Sequence, residues 1–187
     1  MIGLKRRTVS LMEYQPEWAE LAESTILELR GIFGECARDI QHIGSTAIRG
    51  IRSKPIIDIA VGVDSLENVI DILPLLAEKG YRKSQNRFSD DLLYVIQSGD
   101  IRTHQIHILP YRWEQWYHYV DFRDYMNAFP ARAREYEMLK VQLAASCGNV
   151  QRVYTDGKQA YMARVLAEAH QYASKKRELD TKGGPPL

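Results

Sequence analysis

The sequence predicts an α/β (α+β) protein whose core is a mixed β-sheet with flanking helices, followed by a C-terminal helical part. Three observations support this prediction. Up to about residue 110, apolar β-branched segments alternate with segments whose apolar residues have helical spacing. A Ser98-Gly99-Asp100 turn separates two strand-like segments, and helical spacing dominates from Trp113 onward. With 187 residues and 45% hydrophobic content, the chain is long enough for one sizeable core.

The first elements follow from apolar spacing and from turn residues. A helix is predicted over residues 16–33, because apolar residues recur there at helical spacing. Strands are predicted over residues 38–43 and 56–63. Ser65 is predicted to cap a helix that runs to residue 79 and is kinked at Pro74.

The later elements complete the sheet and then become helical. Gly80 and Tyr81 open a third strand, and strands over residues 92–97 and 101–109 are predicted to pair as a hairpin, so the sheet is mixed. Helices are predicted over residues 131–147 and 158–172.

These elements predict one domain over residues 1–174. Its sheet-rich half extends over about residues 1–110 and its helical half over about residues 111–173. Residues 174–187 are rich in charged residues and end in Gly-Gly-Pro-Pro-Leu, so we expect a disordered tail there.

Composition excludes several classes of protein. The net charge of +1 gives no overall field that attracts nucleic acid or an anionic membrane, so an anion site must be local. Two cysteines do not suggest a disulfide framework or a zinc site, and no segment resembles a signal peptide or a membrane span. The sequence therefore predicts a cytoplasmic protein, as a monomer or homodimer, without a membrane partner and without a strong nucleic-acid signal.

A Gly-Ser turn and the basic loop behind it form the first candidate site, for phosphate. Gly44 can adopt backbone angles closed to other residues, while Ser45 and Thr46 add hydroxyl groups and exposed N–H groups. The loop that follows contributes cations that would suit a triphosphate, principally Arg52 and Lys54, with Arg49 beside them. A purely structural turn is the alternative, because Gly-Ser-Thr is common in turns.

Asp58 is the candidate for a metal ligand and a catalytic role. It lies in the middle of an otherwise apolar strand, where a buried carboxylate is unfavourable unless it is paired or binds a cation. Mg²⁺ commonly takes one or two protein carboxylates together with phosphate oxygens, so Mg²⁺ or Mn²⁺ is the expected cofactor. The alternative is that Asp58 accepts hydrogen bonds from a neighbouring turn.

The two histidine-containing strands supply the remaining candidates. Strand alternation places Gln105 and His107 on one face, where His107 is expected to ligate a metal or accept a proton and Gln105 to join the metal site. His42 is expected to reach a phosphate or Asp58. Either histidine is alternatively a structural group, in the case of His42 one that holds the turn by donating to a carbonyl.

Two further groups of charged residues receive weaker assignments. Asp90 and Asp91 lie in a polar loop with Arg87, and either aspartate is a candidate for a second carboxylate, although loop charges are usually solvated. Lys140 and Lys158 occupy positions where a lysine on a helix surface would be unremarkable.

Several segments together resemble the GrpB family. Residues 41–47 (Gln-His-Ile-Gly-Ser-Thr-Ala) and 54–59 (Lys-Pro-Ile-Ile-Asp-Ile) carry the resemblance, which extends through segments 13–18, 102–107, 122–125 and 154–158. It covers about residues 8 to 170. The resemblance implies a polymerase-β-like nucleotidyltransferase fold, in which C-terminal helices close off a cleft beside the catalytic sheet.

The sequence departs from that superfamily's pattern at two places. Active members generally place two carboxylates at positions i and i+2 of one strand, whereas Asp58 has Ile56 and Ala60 at those positions. GrpB-like sequences often have a third histidine where this chain has Gln105.

The preferred function is therefore a nucleotidyltransferase-fold protein that binds a nucleoside triphosphate with a divalent metal and transfers a nucleoside monophosphate to an unknown acceptor. Two alternatives stay open. One is a nucleotide-binding module without catalysis, and the other is a metal-dependent phosphoesterase with His42, His107 and Asp58 as its metal site.

Overall fold

A computed structural model describes residues 2–85 and 91–181 of the chain. Its strands are β1 to β6, with the bounds Leu4–Lys5, Ala37–Ile43, Ile57–Val63, Tyr81–Ser84, Leu92–Ser98 and Ile101–Pro110. Its α-helices are α1 to α6, with the bounds Glu17–Phe33, Leu73–Glu78, Glu114–Ala128, Pro130–Ser146, Gln151–Asp156 and Gln159–Thr181. The predicted order of a strand-rich half followed by a helical half is confirmed.

The strands form one mixed sheet in the order β2-β3-β6-β5-β4, with β1 paired to the first residues of β6. The central pair, β3 and β6, is parallel, and the other pairs are antiparallel. Ser98 pairs with Ile101, so the predicted hairpin between β5 and β6 is confirmed. The mixed α/β fold class is likewise confirmed.

Alternation along β3 separates two faces of the sheet. Ile57, Ile59 and Val61 pack against α1 in the main hydrophobic core. Asp58 and Ala60 point the other way, toward the helical half, as strand alternation requires. Their position places the carboxylate of Asp58 between the sheet and the C-terminal helices.

The loop after β2 is embedded in the helical half. Ile48 and Ile51 are buried in a cluster with residues of α3, α4 and α6. The Asn127 side chain accepts a hydrogen bond from the Arg49 N–H and donates one to the Ala47 carbonyl, each at 3.0 Å. These contacts fix the Gly-Ser turn and its loop against α3.

The segment predicted as one helix over residues 65–79 is instead divided. A short 3-10 helix, Leu66–Val69, follows Ser65, and α2 begins at Leu73. Ser65 does cap the first piece by accepting from the Glu67 N–H. The kink prediction is wrong because Pro74 lies in the first turn of α2, where its missing N–H removes no helical hydrogen bond.

The predicted tail is also partly wrong, because α6 continues to Thr181 instead of ending near residue 172. Arg177 on this extension donates to the carboxylate of Asp121 on α3 at 2.8 Å. The ion pair anchors the last turns of α6 to the body of the protein. Over residues 2–85 and 91–181, none of the helices combines the length and hydrophobicity needed to cross a membrane.

Candidate functional site

The Gly44 turn packs directly on the carboxylate of Asp58. Gly44 directly follows β2 and has a φ of 72°, in the left-handed region that favours glycine. Asp58 lies opposite Ile43 in the β2–β3 register. A side chain at position 44 would place its Cβ 2.9 Å from the Cβ of Asp58, so only glycine fits here. The local sequence therefore brings the turn and the carboxylate together.

Asp58 is held by two residues of β6. The Gln105 amide donates to Asp58 Oδ1 at 2.5 Å, and His107 Nε2 lies 3.8 Å from the same oxygen. The Asp58 side chain is 21% exposed. Burial by itself raises the pKa of Asp58, but His107, Gln105 and Lys54 together hold that pKa below its ordinary value. Asp58 is therefore a carboxylate anion.

His107 lies between two carboxylates. Its Nδ1 is 2.6 Å from Asp91 Oδ2, and its Nε2 faces Asp58. The Tyr119 hydroxyl donates to Asp91 Oδ2 at 3.2 Å. Burial lowers the pKa of His107, yet hydrogen bonds and charge from Asp58 and Asp91 raise it to about 9. The imidazole is therefore protonated at neutral pH.

The predicted metal ligands do not fit a resident divalent cation. His107 Nδ1 is already bonded to Asp91, and the Gln105 oxygen accepts from Arg102 Nη1 at 2.9 Å. Asp91 is fully buried against His107 and Tyr119, and Asp90 lies outside the described residues. Within the described parts of the chain, no group of three or more His, Cys, Asp or Glu side chains could hold a metal ion. The site therefore provides one carboxylate, that of Asp58, and not the several ligands that a resident divalent cation needs.

Two lysines from distant segments meet beside this carboxylate. Lys54 Nζ lies 5.3 Å and Lys158 Nζ 4.8 Å from the centre of the Tyr154 ring. Burial lowers the pKa of each lysine to about 8, while the charge of Asp58 raises it. The charge of Lys158 also lowers the pKa of Lys54, so the two ammonium groups are close enough to repel each other. Neither forms an ion pair with any residue in the described ranges.

Lys140 supports the loop that carries Lys54. It is 1% exposed, and its amine donates to the Arg52 carbonyl and, at 3.2 Å, to Ser53 Oγ. Ser53 Oγ in turn donates to the Ser45 carbonyl at 2.9 Å. Burial lowers the pKa of Lys140 to about 7. The assignment of Lys140 as a surface lysine is wrong, and Lys158 is likewise only partly exposed.

The hydroxyl groups of the turn have different surroundings. Ser45 Oγ is partly exposed and lies 3.5 Å from the Tyr136 hydroxyl. Thr46 is 2% exposed and donates to the Ile56 carbonyl at 3.1 Å. Ser45 can therefore contact a ligand, whereas Thr46 joins the turn to the start of β3.

Two predicted phosphate contacts lie away from the site. His42 is opposite Ile59 in the β2–β3 register, on the face away from Asp58, and its Nε2 lies 3.0 Å from Thr46 Oγ1. Burial lowers the pKa of His42 to about 4, so the ring is neutral, and it contacts Thr46 within the turn. Arg52 donates to Glu13 at 2.6 Å. Neither side chain meets Lys54 and Lys158 at Tyr154.

Comparison with known proteins identifies the family. The sequence pattern described as GrpB protein matches residues 8–168. The chain belongs to the GrpB family. Its resemblance to that family in segments 41–47 and 54–59 is thereby confirmed. The glutamate-rich protein GrpB of Alkalihalophilus pseudofirmus is 36% identical over 173 residues, which cover 90% of this chain and 99% of that protein.

A solved structure of a relative agrees with this assignment. The crystal structure of conserved protein GrpB from Enterococcus faecalis superposes with a TM-score of 0.80 at 30% identity, over 88% of this chain and 99% of that chain. A cytoplasmic RNA terminal U-transferase matches more loosely, with a TM-score of 0.47 at 13% identity over 71% of this chain and 39% of that one.

Proposed function

We propose that this GrpB protein binds a nucleoside triphosphate, with its phosphates between the Gly44-Ser45 turn and the ammonium groups of Lys54 and Lys158. The observation that carries the proposal is the meeting of these two lysines at Tyr154, where neither forms an ion pair with an acidic side chain of the described ranges. Buried cations are normally paired or bind an anion. A polyphosphate would neutralise both, and the serine hydroxyl and backbone of the turn would add hydrogen-bond donors.

The charge distribution fits a nucleotide better than a simple anion. Asp58 is an anion beside the two lysines. A ligand that contacts all three residues therefore needs phosphate oxygens for the lysines and a cation for the carboxylate. Nucleotide phosphates carrying Mg²⁺ or Mn²⁺ meet this requirement, with Asp58 Oδ2 as the protein oxygen near the ion. In this proposal the ion arrives with the nucleotide, because the protein offers no complete ligand set.

The proposed activity is transfer of a nucleoside monophosphate. An oxygen of the acceptor would attack the α-phosphorus, the bond from that phosphorus to the β-bridging oxygen would break, and pyrophosphate would leave. A hydroxyl acceptor would also release one proton to water. The protein would act mainly by positioning the triphosphate and by stabilising the charge that moves to pyrophosphate, for which Lys54 and Lys158 are suited.

Of the two alternatives, only the nucleotide-binding module uses the same contacts. It would bind the triphosphate and release no pyrophosphate. The phosphoesterase site of His42, His107 and Asp58 is not assembled, because His42 lies on the face of the sheet opposite to that of Asp58. We therefore keep nucleotide binding as the shared element and treat transfer as the step that distinguishes the two functions.

Calorimetric titration with ATP, GTP, CTP, UTP and inorganic tripolyphosphate tests the proposal. We expect at least one triphosphate to bind, and Lys158→Met or Lys54→Met to weaken it about tenfold or more, because each removes a partly buried charge contact. Arg52→Gln is the matched control, since it removes a cation of the same basic loop that pairs with Glu13. Binding that is absent, or that is weakened equally by Arg52→Gln, would overturn the proposal. Pyrophosphate release then separates transfer from binding alone.

A further inference from the structure

A strongly basic groove adjoins the nucleotide site on the side of Gln105. It encloses about 680 Å³ and lies at the ends of β3, β4 and β6 together with the first residues of the chain. Six basic residues line it, namely Lys5, Arg6, Arg7, Lys54, Lys83 and Arg102. None of its lining residues in the described ranges is acidic. This concentration of charge contrasts with the net charge of +1 for the whole chain.

Within the part of the chain that the structure describes, the cations of the groove form no ion pairs. No ion pair of the described residues involves Lys5, Arg6, Arg7 or Lys83, and burial together with the charge of Arg6 lowers the pKa of Arg102. The Nε of Arg102 is buried without a hydrogen-bond partner in the described structure. Like charges that converge in this way repel each other unless an anion lies between them. The groove is therefore suited to a ligand with several negative charges.

The first residues of the chain are fixed in place to form one wall. Strand β1 pairs with the start of β6, and the Arg6 N–H donates to the Asp100 carbonyl at 2.8 Å. The turn that follows is closed by the Thr8 hydroxyl, which donates to the Lys5 carbonyl at 2.6 Å, and Arg7 adopts a φ of 62°. A left-handed arginine is unfavourable by about 1 kcal/mol or more, so the turn is held by its surroundings.

Two residues connect the groove to the nucleotide site. Lys54 lines the groove and also faces Tyr154 beside Lys158. Gln105 accepts from Arg102 Nη1 at 2.9 Å with its oxygen and donates to Asp58 Oδ1 at 2.5 Å with its nitrogen. A ligand in the groove would therefore lie next to the carboxylate and the proposed triphosphate.

We propose that this groove is the acceptor site of the transfer reaction and that the acceptor is a small molecule bearing one or more phosphate groups. The proposal rests on the proposed function and names its second substrate by class. A volume of about 680 Å³ suits a small phosphorylated metabolite, since ligand pockets commonly enclose about 300–1,000 Å³. The cations converge on one cavity, which favours a compact polyanion over a long nucleic acid.

Titration with inorganic tripolyphosphate separates this proposal from the nucleotide site. We expect two equivalents to bind the unsubstituted protein, one at each site. Lys158→Met should remove the equivalent at the nucleotide site, and the double variant R6Q/K83Q should weaken the groove equivalent about tenfold or more. Arg6 and Lys83 are exposed, so these changes leave the core intact, as the unfolding temperature of R6Q/K83Q will verify. The control K175Q/K176Q removes two exposed charges from α6 and should change tripolyphosphate binding at neither site.

The outcomes distinguish the two proposals. If R6Q/K83Q weakens binding but Lys158→Met does not, the groove is an anion site and the proposed nucleotide site is overturned. Without a nucleotide site, the acceptor role of the groove is overturned as well. Binding that is insensitive to R6Q/K83Q would overturn the groove alone. A single equivalent weakened by both variants would mean one continuous site and would also overturn a separate acceptor site.

The size class of the acceptor is tested on Lys158→Met, which leaves the groove as the main anion site. Adenosine 3′,5′-bisphosphate serves as the small phosphorylated probe and an eight-nucleotide single-stranded DNA as the polymeric probe. We expect the two probes to bind within about threefold of each other, because the cavity holds only one or two phosphorylated units. Tighter binding of the oligonucleotide by tenfold or more would overturn the small-molecule acceptor in favour of a nucleic acid.

Discussion

His107 and Asp91 form a buried ion pair, with 2.6 Å between His107 Nδ1 and Asp91 Oδ2. The other ring nitrogen of His107, Nε2, lies 3.8 Å from Asp58 Oδ1, so the imidazole lies between two carboxylates. A cation at this position holds Asp58 as an anion without a resident metal. The pair thus sets the charge of the group that faces Asp58.

Replacing Asp91 with Asn should lower the pKa of His107 well below 9. The folded-state pKa of His107 is raised above the unfolded value of 6.5, so its stabilising effect is fully present below pH 6.5 and is lost as the pH rises through about 9. NMR titration of the His107 ring signals measures this pKa in both proteins. His118→Gln on α3 is the control, because that ring is not in contact with Asp91, and it should leave the His107 titration unchanged. An unchanged pKa in Asp91→Asn would contradict the ion-pair assignment.

Replacing Gly44 with Ala should destabilise the fold more than the same change at Gly50. Both glycines have nearly equal positive φ, 72° and 73°, but an added Cβ at position 44 meets Asp58, while one at position 50 meets nothing within 4 Å. We expect a loss of about 1–2 kcal/mol for Gly50→Ala from the backbone alone, and about 2 kcal/mol more for Gly44→Ala from the clash. Urea unfolding of both variants measures the difference. Equal losses would show that the turn does not pack on the carboxylate.

Local patterns predicted the fold and the centre of the site. Strand alternation correctly placed Gln105 and His107 on one face of their strand, and the Ser98-Gly99-Asp100 turn correctly marked the hairpin. These predictions succeeded because each depends on residues that are close in sequence. The register of β2 against β3, which turns His42 away from Asp58, is set by long-range pairing and was not available from local spacing.

The positions of the three lysines, in contrast, could not be predicted from local patterns. Lys54 lies in a loop, Lys140 in α4 and Lys158 in the turn before α6, and the sequence gives no sign that they lie near one another. A lysine on a predicted helix is normally solvated, so burial of Lys140 depends on how α4 packs against the loop. Likewise, Pro74 was compatible with a kinked helix or with a helix start. Tertiary contacts decided each of these cases.

The stability of the protein relative to Lys140→Met should rise with pH. Burial lowers the folded-state pKa of Lys140 from 10.5 to about 7, so the unfolded chain binds more protons between these values and stability increases with pH across that window. We expect a relative gain of about 2 kcal/mol between pH 6.5 and pH 9. Urea unfolding of both proteins at each pH measures it, and Lys175→Met is the exposed control. A relative stability that falls or stays constant would contradict burial of this amine.

Replacing Asp121 with Asn should release the last turns of α6. Asp121 is 1% exposed and accepts hydrogen bonds from His170 at 2.7 Å and from Arg177 at 2.8 Å, so its charge holds two points of the helix to α3. We expect a loss of about 2 kcal/mol, because breaking a buried ion pair costs about 3–5 kcal/mol and Arg177 is partly solvated.

Hydrogen exchange locates this change along α6. In Asp121→Asn, amides of residues 174–181 should exchange faster, whereas those of β3 should show no increase beyond the change in global stability. Asp124→Asn is the matched control on the same helix, because Asp124 pairs with Arg123 nearer the surface and its loss should cost less than about 1 kcal/mol. Protection at residues 174–181 that is equal in all three proteins would show that the extension of α6 does not depend on Asp121.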